Sequence, residues 1–354
     1  MSLFEPNLYR GKRILVTGHT GFKGAWLVRI LVMLGAEVFG LSLKPEANSL
    51  YERLYDLEIA TEIFIDVRDR QGIRKYFSEM SFDGVFHLAA QSLVRRSYLT
   101  PLETFEINVI GTGNVLDAIL RNKSAGWVVV VTTDKVYKDI YNPEGYKEDS
   151  ALGGTDPYSA SKAACEMIIA TYQNLAELDQ GKQKFIAVRS GNVIGGGDTA
   201  EDRLLPDIIR SFHNNREIAI RSPHAVRPWQ HVLDPLTGYL LLGQKLLLGM
   251  EVSSAYNFGP DLRSKLTVEA VAKIACDLWS FSPRYRIELP STHYPETELL
   301  WLNSSRARSE LGWTNKLDAN QSIEWTLDWE RSVQSDSVRK VLDNQIRNYF
   351  DFAL

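Results

Sequence analysis

Cysteine is nearly absent from this 354-residue chain: Cys165 and Cys276 are the only two, too far apart in sequence to suggest a disulfide framework or a zinc-ligand spacing. No metal site is expected. Basic runs are missing too. Pairs such as Arg95-Arg96 are scattered and the net charge is −4, so the chain carries no electrostatic footprint for nucleic acid. The longest apolar tract, 239–249, is broken by Gln244 and Lys245 and is far shorter than the ~20 residues a membrane-spanning helix requires. The opening residues run into an apolar strand at Ile14 without the basic, apolar and cleavage segments of a signal peptide. Neither a nucleic acid nor a membrane is expected as a partner, and the expected location is cytoplasmic. Internal repeats and low-complexity linkers are also lacking.

What is present is the composition of an ordinary globular protein, 44% apolar and 24% charged, long enough for one large core or two modest ones. Two lobes are expected. The first strand signal is Arg13–Thr17, followed at once by Gly18-His19-Thr20-Gly21-Phe22-Lys23-Gly24 and a helical pattern through Trp26, Leu27, Ile30, Leu31 and Leu34. The spacing is G-x-x-G-x-x-G, not G-x-G-x-x-G, but the physical logic of a dinucleotide site is retained. Glycines permit a tight turn, and the helix N-terminus offers free N–H groups and a dipole to a pyrophosphate. A second strand, 37–43, ends at Ser42 and Lys44 where an acidic residue would read a ribose, so this strand end does not settle NAD against NADP. A third strand, 62–65, leads to Asp66, which can receive an adenine amino group or, like Asp69, cap a helix.

The stretch 84–91 reads as a fourth strand opening onto Ala89 and Ala90, small enough to let a nicotinamide approach the backbone; His87 in it reads as a hydrogen-bonded core histidine. One helix is expected over 102–120, with Asn108 mid-helix making a buried hydrogen bond. The fifth strand, 127–131, is continuously apolar, as a strand covered on both faces should be, and delivers Thr132-Thr133-Asp134-Lys135 to the edge where open parallel sheets bind ligands. Asp156-Pro157 then starts a helix carrying Tyr158 and Lys162, which at i and i+4 share a face. A cation beside a phenol favours the phenolate, so the pair is a candidate base. A sixth strand, 185–189, is followed by weaker alternation, with helical patterns at 207–213 and 267–279 and a core pair Trp325 and Trp329.

Thr17-Gly18-x-x-Gly21-x-x-Gly24, Ala89-Ala90, Asn108, Thr133 and Tyr158-x-x-x-Lys162 together resemble the extended short-chain dehydrogenase/reductase family. Within it, five stretches are similar to the nucleotide-sugar 4,6-dehydratases, in particular those acting on CDP-D-glucose. They are 18–24, Ala89-Ala90-Gln91-Ser92-Leu93-Val94-Arg95, Thr132-Thr133-Asp134-Lys135-Val136-Tyr137, Gly195-Gly196-Gly197-Asp198 and Arg227-Pro228-Trp229-Gln230-His231-Val232. The resemblance implies an α/β fold, a Rossmann-type doubly wound parallel sheet with a smaller, mostly C-terminal substrate lobe. The first domain would span 1–190 with 226–260 returning to it, and the lobe 191–225 and 261–354.

The resemblance further implies NAD held by Gly18, Thr20, Gly21, Phe22, Gly24, Asp66, Val67, Ala89, Ala90, Gln91, Asn108, Tyr158 and Lys162. It implies catalysis by Thr133, Asp134, Lys135, Tyr158 and Lys162, and contacts to CDP-D-glucose from Asn192, Arg203, Arg227 and Tyr294. The activity implied is oxidation at C4, loss of water across C5 and C6, and return of the hydride to C6, as in deoxysugar biosynthesis of the O-antigen type. Tyr158 takes the C4 hydroxyl proton, Asp134 is the acid at C6 and Lys135 the base at C5. The similar dTDP-glucose enzymes have Asp-Glu in place of this Asp-Lys pair. The family also implies a homodimer through a four-helix bundle of the Asn108 and Tyr158 helices. A nucleotide-sugar 4-epimerase, a 4,6-dehydratase acting on a different nucleotide sugar and a catalytically silent dinucleotide-binding regulatory subunit are the rival readings.

Overall fold

The computed structural model describes residues 4–55, 57–140, 142–179, 183–261, 264–279, 285–287 and 300–351. In chain order the first half runs β1 (Arg13–Thr17), α1 (Phe22–Met33), β2 (Glu37–Ser42), α2 (Leu50–Arg53), β3 (Thr61–Phe64), α3 (Arg70–Glu79), β4 (Phe82–His87), α4 (Val94–Leu99), α5 (Pro101–Phe105), α6 (Thr112–Asn122), β5 (Ala125–Val131), α7 (Pro157–Leu178) and β6 (Lys184–Ser190). The second half runs β7 (Val193–Ile194), α8 (Leu204–His213), β8 (Ile218–Ile220), β9 (Val226–Pro228), β10 (Gln230–His231), α9 (Leu233–Leu247), β11 (Ala255–Phe258), β12 (Lys265–Thr267), α10 (Val268–Trp279), β13 (Tyr285–Ile287), α11 (Ala319–Ser332) and α12 (Val338–Phe350).

Seven strands form one sheet in the order β11-β6-β5-β4-β1-β2-β3, every pair parallel. Alternate residues of β1 face opposite layers. Ile14 and Val16 pack with α1, α9 and α12, whereas Leu15 packs with α3, α6 and α7. Burial on both faces is why β1 and β5 read as unbroken apolar runs. The strand order reverses between β1 and β4, and a crevice at that point receives ligands in such sheets.

A separate core holds Ile194, Leu205, Ile208, Phe212, Trp229, Val271, Ala275, Ile323 and Leu327, contributed by β7, α8, the residue between β9 and β10, α10 and α11. The C-terminal helix does not join it. Val341, Leu342, Ile346 and Tyr349 of α12 pack in the layer beside the sheet, and Asp343 accepts two hydrogen bonds from Arg29 of α1 at 2.6 and 2.8 Å.

The helix expected over 102–120 is broken up. Pro101 occupies the first turn of α5, residues Glu106–Gly111 form a π-helical turn, and α6 follows. Such a wide turn is a common feature of functional sites. Here it turns Asn108 inward, fully buried, and passes over Val67, where any side chain at Gly111 would collide (2.5 Å to Val67 Cγ2). The strand expected over 84–91 stops at His87. Its Nδ1 meets Thr17 Oγ1 at 2.7 Å and its Nε2 meets Thr112 Oγ1 at 3.1 Å, while burial takes its pKa down to about 3. It is a core histidine, as its setting in the sequence suggested.

Candidate active site

The loop after β1 is shaped by what its glycines omit. Gly18 adopts φ +71°, and a Cβ there would lie 2.7 Å from Ala89 N. A Cβ on Gly24 would lie 2.1 Å from Gly18 O, so only glycine lets α1 start against its own loop. Gly21 caps α1 without a side chain, leaving the first-turn amides for an anion. These residues fit a dinucleotide diphosphate. Thr20 Oγ1 bonds Ser42 Oγ at 2.7 Å and donates to Leu43 O at 3.1 Å, so hydroxyls occupy the ribose end of β2.

Other cofactor candidates surround this loop. Ala89 donates its N–H to Thr17 Oγ1 at 3.2 Å, and Ala90 follows it, half-buried. Phe22 lies near Gly195, half-buried. Asp66 is held by Arg68 through its side chain and backbone, which lowers the carboxyl pKa, while the α3 cap is Asp69. Val67 is buried, its carbonyl accepting from Asn114. Asn108 takes a hydrogen bond from Gln91 N at 2.8 Å and donates to Gln91 O and Ser161 Oγ at 3.0 and 2.9 Å. Gln91 further bonds Leu93 and Thr104. Asn108 and Gln91 thus shape the site by tying the loop after β4 to α7.

The turn after β5 works through charge. Asp134 is 1% exposed. Its Oδ1 accepts from Thr133 Oγ1 at 3.0 Å and from Lys135 Nζ at 3.3 Å, and its Oδ2 has no partner among the described residues. That free oxygen lies against Gly191, where a Cβ would come within 3.1 Å of it. A buried carboxylate with one oxygen unused has capacity for a proton or a ligand hydroxyl. The Asp134–Lys135 pair is therefore an ion pair at a sheet edge, with the acid inside, not a surface pair.

Tyr158 enters from the first turn of α7, which Asp156 caps by accepting from Ser159 N. Tyr158 and Lys162 are 7% and 5% exposed. Lys162 Nζ donates to the carbonyl of Val131 at 3.2 Å, and burial lowers its pKa. Burial pushes the Tyr158 phenol up to about 12, with its hydrogen bond to Thr133 pulling the other way and the Asp134 charge adding to the rise. In the free chain the phenol keeps its proton, because desolvation outweighs the cation one turn away.

Among the substrate candidates, Arg203 is ion-paired with Asp198 at 2.9 Å, just before α8. Arg227 lies on β9, its Nη1 donating to Val226 O, and Asn192 lies in the loop after β6, its carbonyl accepting from Gln230 N. Tyr294 lies outside the described residues.

Several residues around this edge were not picked out in the sequence. Lys23 of α1 reaches Ser190 Oγ at 2.8 Å, and Tyr239 OH reaches the same atom at 3.1 Å. Glu166, two turns along α7 from Tyr158, accepts from Thr132 Oγ1 and from Arg189 Nε and Nη2 at 2.9 and 2.8 Å. Spacing offered a partial signal: 158, 162 and 166 share one helical face.

The chain was compared with known proteins. The NAD dependent epimerase/dehydratase family matches residues 14–259. CDP-glucose 4,6-dehydratase of Salmonella typhimurium is 40% identical over 316 residues, covering 88% of each chain. A probable dTDP-glucose 4,6-dehydratase of Sinorhizobium fredii is 30% identical over 233 residues, 63% of this chain and 65% of that one. Among solved structures, the dTDP-glucose 4,6-dehydratase DesIV of Streptomyces venezuelae, with NAD bound, superposes with a TM-score of 0.79 at 24% identity over 90% of this chain and 97% of its own. UDP-glucose 4-epimerase of Thermotoga maritima, with UDP-glucose, gives 0.78 at 22% identity over 91% of this chain and 100% of its own.

Proposed function

This chain belongs to the NAD dependent epimerase/dehydratase family, and from that premise we propose that it converts CDP-D-glucose to CDP-4-dehydro-6-deoxy-D-glucose with loss of water. The observation that carries this reading is the buried Asp134 with its unpartnered oxygen, joined to Lys135 and Thr133 beside Tyr158. A 4-epimerase needs a base for the C4 hydroxyl but no acid and base for C5 and C6.

NAD, when bound, supplies reversible two-electron chemistry, accepting the C4 hydrogen and giving it up to C6. Gly18, Gly21 and Gly24 with the α1 amides would hold its diphosphate. Tyr158 receives the C4 hydroxyl proton once it has yielded its own. The resulting ketone acidifies the C5 hydrogen; Lys135, its ion-pair proton passed to Asp134, removes that hydrogen, and the ammonium so formed, its hydrogens exchanging with solvent, later protonates the same carbon. Asp134 protonates the departing C6 oxygen. Each turnover thus leaves a proton on Tyr158 and removes one from Asp134, and Thr133, bonded to Asp134 and within hydrogen-bonding reach of Tyr158, stands between them. Asn192, Arg203 and Arg227 are our candidates for nucleotide-sugar contacts; arginine suits a diphosphate because its planar fork bonds two oxygens.

Pairing of two chains is part of the proposal. Leu102 and Ile110 along α5 and the π turn, and Met167 and Leu178 on α7, are 57–81% exposed, an apolar face that a four-helix bundle between two copies would cover. Light scattering should return twice the chain mass; a monomer contradicts that part.

NMR of the product formed from CDP-D-glucose and NAD in deuterated water tests the reaction. A 6-deoxy-4-keto sugar with deuterium at C5 is expected; the C4 epimer, or unchanged substrate, overturns the reading.

A further inference from the structure

Lys23 lies in the first turn of α1, the positive end of the helix dipole, where a cation is unfavourably placed, and that turn contains no acidic residue. Its side chain nevertheless folds inward, half-buried, and donates to Ser190 Oγ at the end of β6. Ser190 is 2% exposed and takes no charge. Among the described residues, no carboxylate lies within ion-pairing distance of Lys23.

The charged groups facing it come from three other elements: Asp134 from the turn after β5, Lys162 from α7 and Arg203 from the segment before α8. Tyr239 of α9 shares Ser190 with it. Arg203 already has Asp198 as a partner, and Asp134 is bonded to Lys135. Two cations thus face Lys23 against the single carboxylate of Asp134, which is bonded to Lys135 and not to Lys23, so no acidic side chain pairs with it. Burial and the two cations bring it down to about 7. A lysine at the anion-binding end of a helix, lacking a protein anion, is suited to one supplied by a ligand.

We propose that Lys23 is a cofactor-binding residue whose ammonium is completed by a proton taken up as the dinucleotide's diphosphate binds at the start of α1. The inference rests on NAD being the cofactor. Binding is then linked to protonation, so NAD affinity falls as pH rises above the value at which free Lys23 titrates, by up to about tenfold per unit.

The test is calorimetric titration of the nucleotide-free full chain with NAD in two buffers of different ionisation enthalpy, at pH 7 and 8. The wild type should take up about half a proton per site at pH 7, and more at pH 8. Lys23→Met should lose this uptake. Lys23→Arg should bind NAD without uptake and with affinity that no longer falls between the two pH values, because a guanidinium stays charged throughout. Normal NAD binding with no uptake by the wild type, or the same uptake by Lys23→Met, overturns the inference and leaves the cofactor reading intact. A wild-type chain that binds no NAD overturns both.

Discussion

The loop after β1 and the turn after β5 lie at the same edge of one sheet, yet they are built by opposite means. The first works by omission: Gly18, Gly21 and Gly24 have no side chains because backbone and ligand need the space. The second works by side chains whose properties depend on neighbours far along the chain. Asp134 has its free oxygen against Gly191, Tyr158 is governed by burial more than by Lys162, and Thr132 is tied through Glu166 to Arg189. Geometry written into backbone spacing is portable between proteins of this fold, whereas charge placement is what distinguishes one reaction from another. Substitutions should separate the two regions cleanly.

The largest expected effect is at the charged turn. Asp134→Asn keeps the shape but removes the proposed acid, and should lower turnover by about 10²–10⁴-fold, the range for a general acid, far more than it changes NAD affinity. A parallel loss of NAD affinity would merge the two regions into one. Gly24→Ala is the converse. Its Cβ meets the backbone oxygen of Gly18, and NAD affinity should weaken by roughly 10–100-fold, about 1.4–2.8 kcal/mol. Equal NAD binding by Gly24→Ala would remove the omission argument.

Glu166→Ala leaves Arg189 charged and buried; both side chains of this pair are 4% exposed. Loss of one partner of such a pair costs about 3–5 kcal/mol, visible in denaturant unfolding. A change under 1 kcal/mol would show that the pair does not anchor α7. The most gradual effect lies beneath the loop. His87 titrates at about 3 in the folded chain but near 6.5 when unfolded. The unfolded state therefore binds the extra proton between those values, and stability falls as pH drops from 6.5 toward 3, by up to about 1.4 kcal/mol per unit. His87→Gln should flatten that slope. An unaltered slope would mean other groups set the acid limb; buried Asp234, raised to about 7, acts with the opposite sign.

These differences also explain what could be read without coordinates. β1 was legible to the residue, and so was the start of α7, because Asp156 and Pro157 are local signals at a helix start. The glycine loop was legible because its constraint is local. The π turn was not, since it is enforced by contacts of Asn108 with Gln91 and Ser161, 17 and 53 residues away. Lys23 was unremarkable within its motif until β6 brought Ser190 to it, 167 residues on. The burial of Tyr158 was not legible for the same reason: i, i+4 spacing reports the cation but not the desolvation that opposes it.

In the proposed mechanism Asp134 and Lys135 turn a hydride-transfer centre into a dehydratase. Rapid mixing of Lys135→Ala with NAD and CDP-D-glucose, followed through the absorbance of the reduced cofactor, tests it most directly. Reduced cofactor should form and persist, because C4 is oxidised but the C5 proton cannot be removed. Dehydration at the wild-type rate, with no reduced cofactor accumulating, would contradict it.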